Sequence, residues 1–123
     1  IRRVNFDEKE WFPIGGSRAF PLRDGEYFDP TEDFFAIGSA FFEEMPRTAV
    51  LEKKGTDRRI TMHYPDFRFF GLWKAPEAAF LCMEPWTSMP PLAGKVCEMN
   101  EKPDFVRLAP GESNCYTCTV TFQ

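Results

Sequence analysis

The heptapeptide at residues 80–86, FLCMEPW, constrains the fold of this chain more than any other stretch. Its alternating apolar residues predict a strand, on which side chains two positions apart share a face. One face then carries Phe80, Cys82, Glu84 and Trp86, whereas Leu81 and Met83 point toward a packed interior. Pro85 has no backbone N–H, so we expect it to hold Glu84 extended and to end the ladder of hydrogen bonds. The pattern predicts a single acid at a sheet edge, beside a flat aromatic surface.

Length and charge exclude several classes of function. The chain has 123 residues, enough for one domain with its own core, and a formal net charge of −4 without a basic stripe, which argues against nucleic acid as a partner. Lys53, Lys54, Arg58 and Arg59 flank Gly55 and are interpreted as a solvated hairpin tip rather than a polyanion site. No stretch has the length of a membrane span and no signal-peptide pattern is present, so we expect a cytoplasmic protein without a membrane partner.

The cysteines and the only histidine do not predict a metal site. Cys115 and Cys118 form a C-x-x-C pair, but residues three apart on a strand face opposite sides. Without a second pair or a nearby histidine, we expect unpaired thiols in a reducing compartment, and neither metal nor organic cofactor. His63 lies in a strand-like stretch and is interpreted as a surface or edge-strand residue.

The first third of the chain is predicted to contain its one helix. Residues 29–44 begin with a capping pattern and space Phe34, Ile37 and Phe41 as on a helix, although Gly38 weakens this and a short strand from Ala40 competes with it. Residues 1–19 are interpreted as a polar lead-in with a turn at residues 15–16.

The rest of the chain predicts a β-protein. Runs of β-forming residues between turn signals indicate strands at residues 48–52, 59–64, 67–73, 79–84, 105–108 and 112–122. Gly71 would let a neighbouring group approach closely. The proline-rich residues 87–103 are long enough to form a functional loop or lid. Strands joined by turns, with little helix, predict an all-β antiparallel sandwich or part of one.

Three motifs then occur in a fixed order: FRFFGLW at residues 67–73, FLCMEPW at 80–86 and LAPGE at 108–112. Together they resemble the C-terminal part of the aldose 1-epimerase (galactose mutarotase-like) family, in the branch with a C-[IL]-E-P-W signature. The resemblance is loose over residues 20–123 and close over residues 59–123.

The resemblance implies a β-supersandwich with a sugar bound on a concave sheet face, of which residues 1–123 would be the C-terminal portion of a single domain. It implies an isomerase in which Glu84 is the general base that removes the proton of the anomeric hydroxyl while an acid protonates the ring oxygen. Trp86 would offer its ring to the C–H surface of the substrate, a hexose or hexose phosphate. No cofactor is implied.

The acid partner is not predicted within this chain, because in that family it is a histidine of the N-terminal half. The chain opens at Ile1 rather than at a methionine. We therefore expect a missing N-terminal half to be a partner that supplies the acid and covers apolar surface, and the piece alone to be inactive.

Two other functions fit the same residues. One is a non-catalytic carbohydrate-binding protein of the same fold, because fold does not determine function. The other is a structural β-domain in which Glu84 is a rim carboxylate and Trp86 belongs to the core. A Glu84 carboxylate turned inward onto main-chain amides, or a lack of any cavity beside it, would argue against sugar binding.

Overall fold

Two antiparallel sheets make up the fold in a computed structural model that describes residues 1–7, 9, 11–36 and 38–123. Within these residues there is no α-helix, and two short 3-10 turns lie at Asp33–Phe35 and Met99–Glu101. The strands are β1 (Arg2–Phe6), β2 (Pro13–Ala19), β3 (Ser39–Glu43), β4 (Thr48–Glu52), β5 (Arg59–His63), β6 (Phe69–Trp73), β7 (Cys82–Trp86) and β8 (Thr119–Phe122). The predicted all-β, sandwich-like architecture is confirmed.

The larger sheet has the strand order β2-β1-β3-β6-β7, which places β7 at an edge. The smaller sheet has the order β4-β5-β8. Its β4–β5 hairpin is inserted between β3 and β6, which are neighbours in the larger sheet. The larger sheet therefore joins β1 and β2, from the start of the chain, to β6 and β7 through β3.

Apolar side chains cover both faces of the larger sheet at β3 and β6. One face packs into a cluster of buried residues formed by Phe35, Ala40, Phe42, Tyr64, Phe70 and Leu72. Ala49 and Met62 of the smaller sheet pack against this cluster, so the two sheets share one core. The other face carries a second cluster of Phe41, Phe69 and Met89. This second face is the one on which Glu84 lies.

The predicted helix at residues 29–44 is wrong, and the competing strand is confirmed. Only Asp33–Phe35 forms a 3-10 turn, and β3 begins at Ser39, close to the predicted Ala40. Gly38 has a positive φ of 80°, which glycine adopts without strain and which ends any helical turn there. β3 then gains two pairing partners, β1 and β6, that a surface helix would lack. Ile37, part of the predicted helical spacing, lies outside the described residues.

The polar lead-in proves to be a hairpin of β1 and β2. Gly15 and Gly16 lie within β2 rather than in a turn, and both have positive φ. Polar residues in these strands have partners: Arg2 Nε donates to Ser17 Oγ at 2.8 Å, and Ser17 in turn donates to Glu43. These cross-strand polar bonds add to the packing of Val4 and Phe6 against the second cluster.

The other predicted strands are confirmed with altered bounds or not found. Residues 48–52 match β4, residues 59–64 nearly match β5, and residues 67–73 shorten to β6. The strand predicted at 79–84 runs instead from Cys82 to Trp86, so Phe80 lies before it. Residues 105–108 form no strand, and residues 112–122 form one only at Thr119–Phe122. None of the described residues forms a helix long and apolar enough to cross a membrane.

Candidate functional site

Glu84 lies at the middle of edge strand β7, where three strands meet in register. Gly71 of β6 pairs with Glu84 on one side and with Phe41 of β3 on the other. A Cβ at residue 71 would lie 2.9 Å from Cε1 of Phe41 and 3.4 Å from Cβ of Glu84. The close approach predicted at Gly71 is therefore confirmed. The absent side chain lets the Phe41 ring lie flat beside the acid.

Pro85 does not end the ladder of hydrogen bonds, contrary to the prediction. It pairs with Phe70, and the ladder continues to a pairing of Trp86 with Phe69. A proline is tolerated here because β7 is an edge strand, which has one side without a pairing strand. Leu81 and Met83 pack against the first core cluster, as predicted.

The Glu84 carboxylate is bound by a side chain rather than by main-chain amides. Nε1 of Trp86 donates to Oε2 of Glu84 at 3.2 Å. The two residues are two apart on β7 and share a face, as predicted. Both side chains are half-buried, so the acid is held in position without being sealed from solvent.

A cavity of about 300 Å³ opens beside this acid. Among the described residues, its lining is mainly aromatic, with two carboxylates and one hydroxyl. The lining residues are Phe6, Asp7, Trp11, Ser39, Phe41, Trp73, Glu84, Trp86 and Pro90. The Phe41 ring is held between two other rings of the lining. Its centroid lies 5.2 Å from that of Phe6, on which it stacks, and 4.8 Å from that of Trp86, which it meets edge-on. The volume is in the range of a small-molecule site.

Residues 87–104 fold back along this face of the sheet. Met89 is buried against the second core cluster, and its N–H donates to Oδ2 of Asp104 at 2.6 Å. Lys102 Nζ lies 3.1 Å from Oδ1 of Asp104, and the N–H of Ala93 donates to the carbonyl of Pro13 at 2.8 Å. Burial raises the pKa of Asp104, but the bonds from Met89 and Lys102 outweigh it and leave the pKa below its ordinary value. The segment interpreted as a loop or lid is thus closed on itself by Asp104 and attached to the rest of the fold at Met89 and Ala93.

His63 does not belong to the site. It lies in β5 of the smaller sheet, is exposed, and its Nδ1 is 3.1 Å from Oγ1 of Thr48. It is a surface residue as predicted, although β5 is the central strand rather than an edge.

The basic residues around Gly55 are exposed at the tip of the β4–β5 hairpin, as predicted. Lys54 and Arg23 both bind the exposed carboxylate of Asp29, and these bonds lower its pKa. Asp29 therefore links two loops, instead of capping the helix that was predicted there.

The cysteines lie apart from the cavity lining. All four are unpaired, and Cys115 and Cys118 are exposed in a segment that precedes β8. No three histidine, cysteine or acidic side chains within the described ranges come together to hold a metal ion.

The sequence predictions missed the three described lining residues that come from the chain's beginning. Phe6 and Asp7 enter from the end of β1, and Trp11 from the β1–β2 connection. Trp11 has a positive φ of 64° and packs its ring over Gly38, next to the start of β3. The aromatic residues at positions 6, 11 and 12 were the available signal, but no local pattern links them to Glu84.

The fold and site define an all-β protein with an aromatic cavity on one face of its larger sheet. No protein-family model, curated protein or solved structure matches this chain.

Proposed function

We propose that this chain carries the general base and part of the sugar-binding surface of an aldose 1-epimerase-like isomerase. Glu84 would take the proton of the anomeric hydroxyl of a hexose, and an acid would protonate the ring oxygen, so that the ring opens and recloses as the other anomer. The observation that carries the proposal is the position of the Glu84 carboxylate, bound to Trp86 Nε1 at 3.2 Å and lining a cavity of about 300 Å³.

The cavity suits a sugar for a physical reason. A hexose presents C–H faces that pack on aromatic rings and hydroxyls that need polar partners. Trp73 and Trp86 supply flat apolar surface on either side of Glu84, and Ser39 supplies a hydroxyl. A positioned base of this kind typically contributes about 100- to 10,000-fold to the rate.

The acid is proposed to come from outside the residues described. His63 lies on the other sheet, so it does not fill that role. The isolated chain should therefore bind sugar without accelerating mutarotation, whereas the longest natural protein that contains this chain should accelerate it.

Polarimetry on freshly dissolved α-glucose and α-galactose tests the proposal. The longest protein should equilibrate the anomers faster than buffer does, and Glu84→Gln should lower that rate by roughly 100- to 10,000-fold. Glu52→Gln on the smaller sheet is the matched control and should leave the rate unchanged. An unchanged rate in Glu84→Gln would refute the proposal.

A second candidate is a carbohydrate-binding protein without catalysis. The cavity lining favours it in one respect, because the part of the chain that the structure describes places no histidine there. Sugar binding measured by calorimetry, with no acceleration of mutarotation by the longest protein, would support this candidate over the isomerase.

A further inference from the structure

The charge of the aromatic cavity points to a particular kind of ligand. Of the described residues that line it, two are carboxylic acids, Asp7 and Glu84, and none is lysine, arginine or histidine. The lining therefore repels an anion such as a phosphate and attracts a cation.

The rings of the lining add to this preference. Phe6, Trp11, Phe41, Trp73 and Trp86 all border the cavity. A cation near the face of an aromatic ring is attracted by the ring's quadrupole, most strongly for tryptophan and more strongly when water is excluded. Aromatic rings together with carboxylates are the combination that recognises organic ammonium groups.

Three basic groups of the chain are engaged away from the cavity. Arg3 lies over the ring of Phe34 at 4.8 Å, on the first-cluster side of the sheet. Lys102 forms an ion pair with Asp104, and Lys74, although next to Trp73 in sequence, forms one with Glu32.

We propose that this cavity binds a ligand that carries an organic ammonium group, held between the carboxylates of Asp7 and Glu84 and the surrounding rings. This inference rests on the proposed function, which makes the rest of the ligand a sugar. Together the two proposals identify the ligand as a 2-amino-2-deoxyhexose rather than a hexose phosphate. The ammonium group would donate to carboxylate oxygens, each carboxylate having capacity for several hydrogen bonds. A small alkylammonium compound shares the same chemistry and is distinguished from the amino sugar by the test.

Isothermal titration calorimetry on the chain tests this with five probes: glucosamine, glucose, N-acetylglucosamine, glucose 6-phosphate and choline. It is done near pH 6, at about which an amine of this kind keeps its proton. Glucosamine should bind about tenfold or more tightly than glucose and N-acetylglucosamine, and glucose 6-phosphate should bind most weakly. Raising the salt from roughly 0.05 to 0.5 M should weaken glucosamine binding and leave glucose binding unchanged.

Variants test the two carboxylates. Asp7→Asn and Glu84→Gln should each weaken glucosamine binding by about tenfold while changing glucose binding far less. Asp57→Asn, which removes one exposed charge from the distant hairpin tip, is the matched control and should change neither. Thermal melts check that each variant folds. The salt dependence of the unaltered chain provides an independent readout should a variant fail to fold.

The outcomes separate this inference from the proposed function. Equal binding of glucose and glucosamine, or tightest binding of glucose 6-phosphate, overturns the ammonium inference and leaves the sugar function standing. Binding of choline without any sugar overturns the sugar function and supports an ammonium site. A lack of binding by all five probes overturns both.

Discussion

Trp86 Nε1 donates a 3.2 Å hydrogen bond to Oε2 of Glu84, two residues away on the same face of edge strand β7. The bond fixes the direction of a carboxylate that would otherwise rotate freely at a sheet edge. It also leaves the second oxygen, Oε1, on the same carboxylate to meet a ligand. The Trp86 indole therefore lines the cavity and also positions the Glu84 carboxylate.

Trp86→Phe should keep an aromatic ring in the cavity lining and lose the hydrogen bond that positions Glu84. On the proposed isomerase, the variant should show a kcat lowered by about tenfold, the equivalent of about 1.4 kcal/mol, with a KM close to that of the natural protein. Trp73→Phe is the matched control, because Trp73 lines the same cavity but pairs with Cys82 rather than Glu84. Polarimetric kinetics at several sugar concentrations separate the two constants. A raised KM with unchanged kcat would show that Trp86 only binds.

Gly71→Ala should destabilise the fold through a specific clash. The new methyl group would lie 2.9 Å from Cε1 of Phe41, a ring that Phe6 and Trp86 hold in place. Overpacking of this kind costs about 1–3 kcal/mol, which thermal or urea unfolding would detect. The double variant Gly71→Ala/Phe41→Leu should recover part of that loss relative to Phe41→Leu alone. If the losses of stability in the two single variants simply add in the double variant, the destabilisation by Gly71→Ala does not come from a clash with Phe41.

The contrast between strands β4 and β1 shows which parts of the fold the sequence predicts. Residues 48–52 are a run of β-forming residues bounded by turn signals, and their bounds are predicted without error. Residues 2–6 include two arginines and an asparagine, and Ser17 of β2 forms bonds with both Arg2 and Glu43. Such bonds join residues distant in sequence and leave no periodic signal. The helix predicted over residues 29–44 fails for a related reason, since the pairing of β3 with β1 and β6 overrides local spacing.

The site, like the fold, has residues that the sequence predicts and residues that it does not. Glu84 and Trp86 were predictable, because their shared face follows from strand geometry alone. Asp7 and Trp11 were not, because the sheet order brings β1 and β7 to one cavity and no local pattern encodes that order. The predicted sugar specificity came from the resemblance. The charge of the cavity became visible only once these residues were placed together.

Tyr64→Phe should weaken the core by removing one hydroxyl. The Tyr64 hydroxyl donates to the carbonyl of Pro46 at 2.9 Å, and the residue is 0% exposed. Loss of this bond should lower the unfolding free energy by about 0.5–1.5 kcal/mol at neutral pH, measured by urea unfolding. Tyr116→Phe, at a more exposed ring, is the control and should have a smaller effect.

The same tyrosine predicts a dependence on alkaline pH. Burial raises the pKa of Tyr64 to about 12, against an ordinary value of 10.0 in the unfolded chain. Because the native state holds the proton more tightly, this group's contribution is complete below pH 10 and is lost as the pH rises toward about 12. The stability difference between the natural chain and Tyr64→Phe should therefore shrink over that window. A constant difference would show that Tyr64 does not titrate differently in the two states.

Asp104 bonds the two ends of residues 87–104 to each other, and its removal should loosen this segment. Its carboxylate accepts a hydrogen bond from the N–H of Met89 and forms an ion pair with Lys102. Asp104→Ala therefore removes this partner from the Met89 N–H and from the Lys102 ammonium group. We expect a loss of about 1–3 kcal/mol and faster hydrogen exchange at the Met89 amide. Asp104→Asn keeps an acceptor for Met89 and should lose less. Asp57→Ala at the exposed hairpin tip is the control.

Acid should reproduce this loosening in the natural chain. The bonds from Met89 and Lys102 bring the pKa of Asp104 below its ordinary value of 3.8 despite the opposing effect of burial. The stability from this group is therefore present above pH 3.8 and is lost as the pH falls through the lower native pKa. Protection of the Met89 amide, measured by hydrogen exchange and corrected for intrinsic rates, should fall in that range. Asp104→Ala should show no such step, and a step of equal size in that variant would assign the acid sensitivity to another carboxylate.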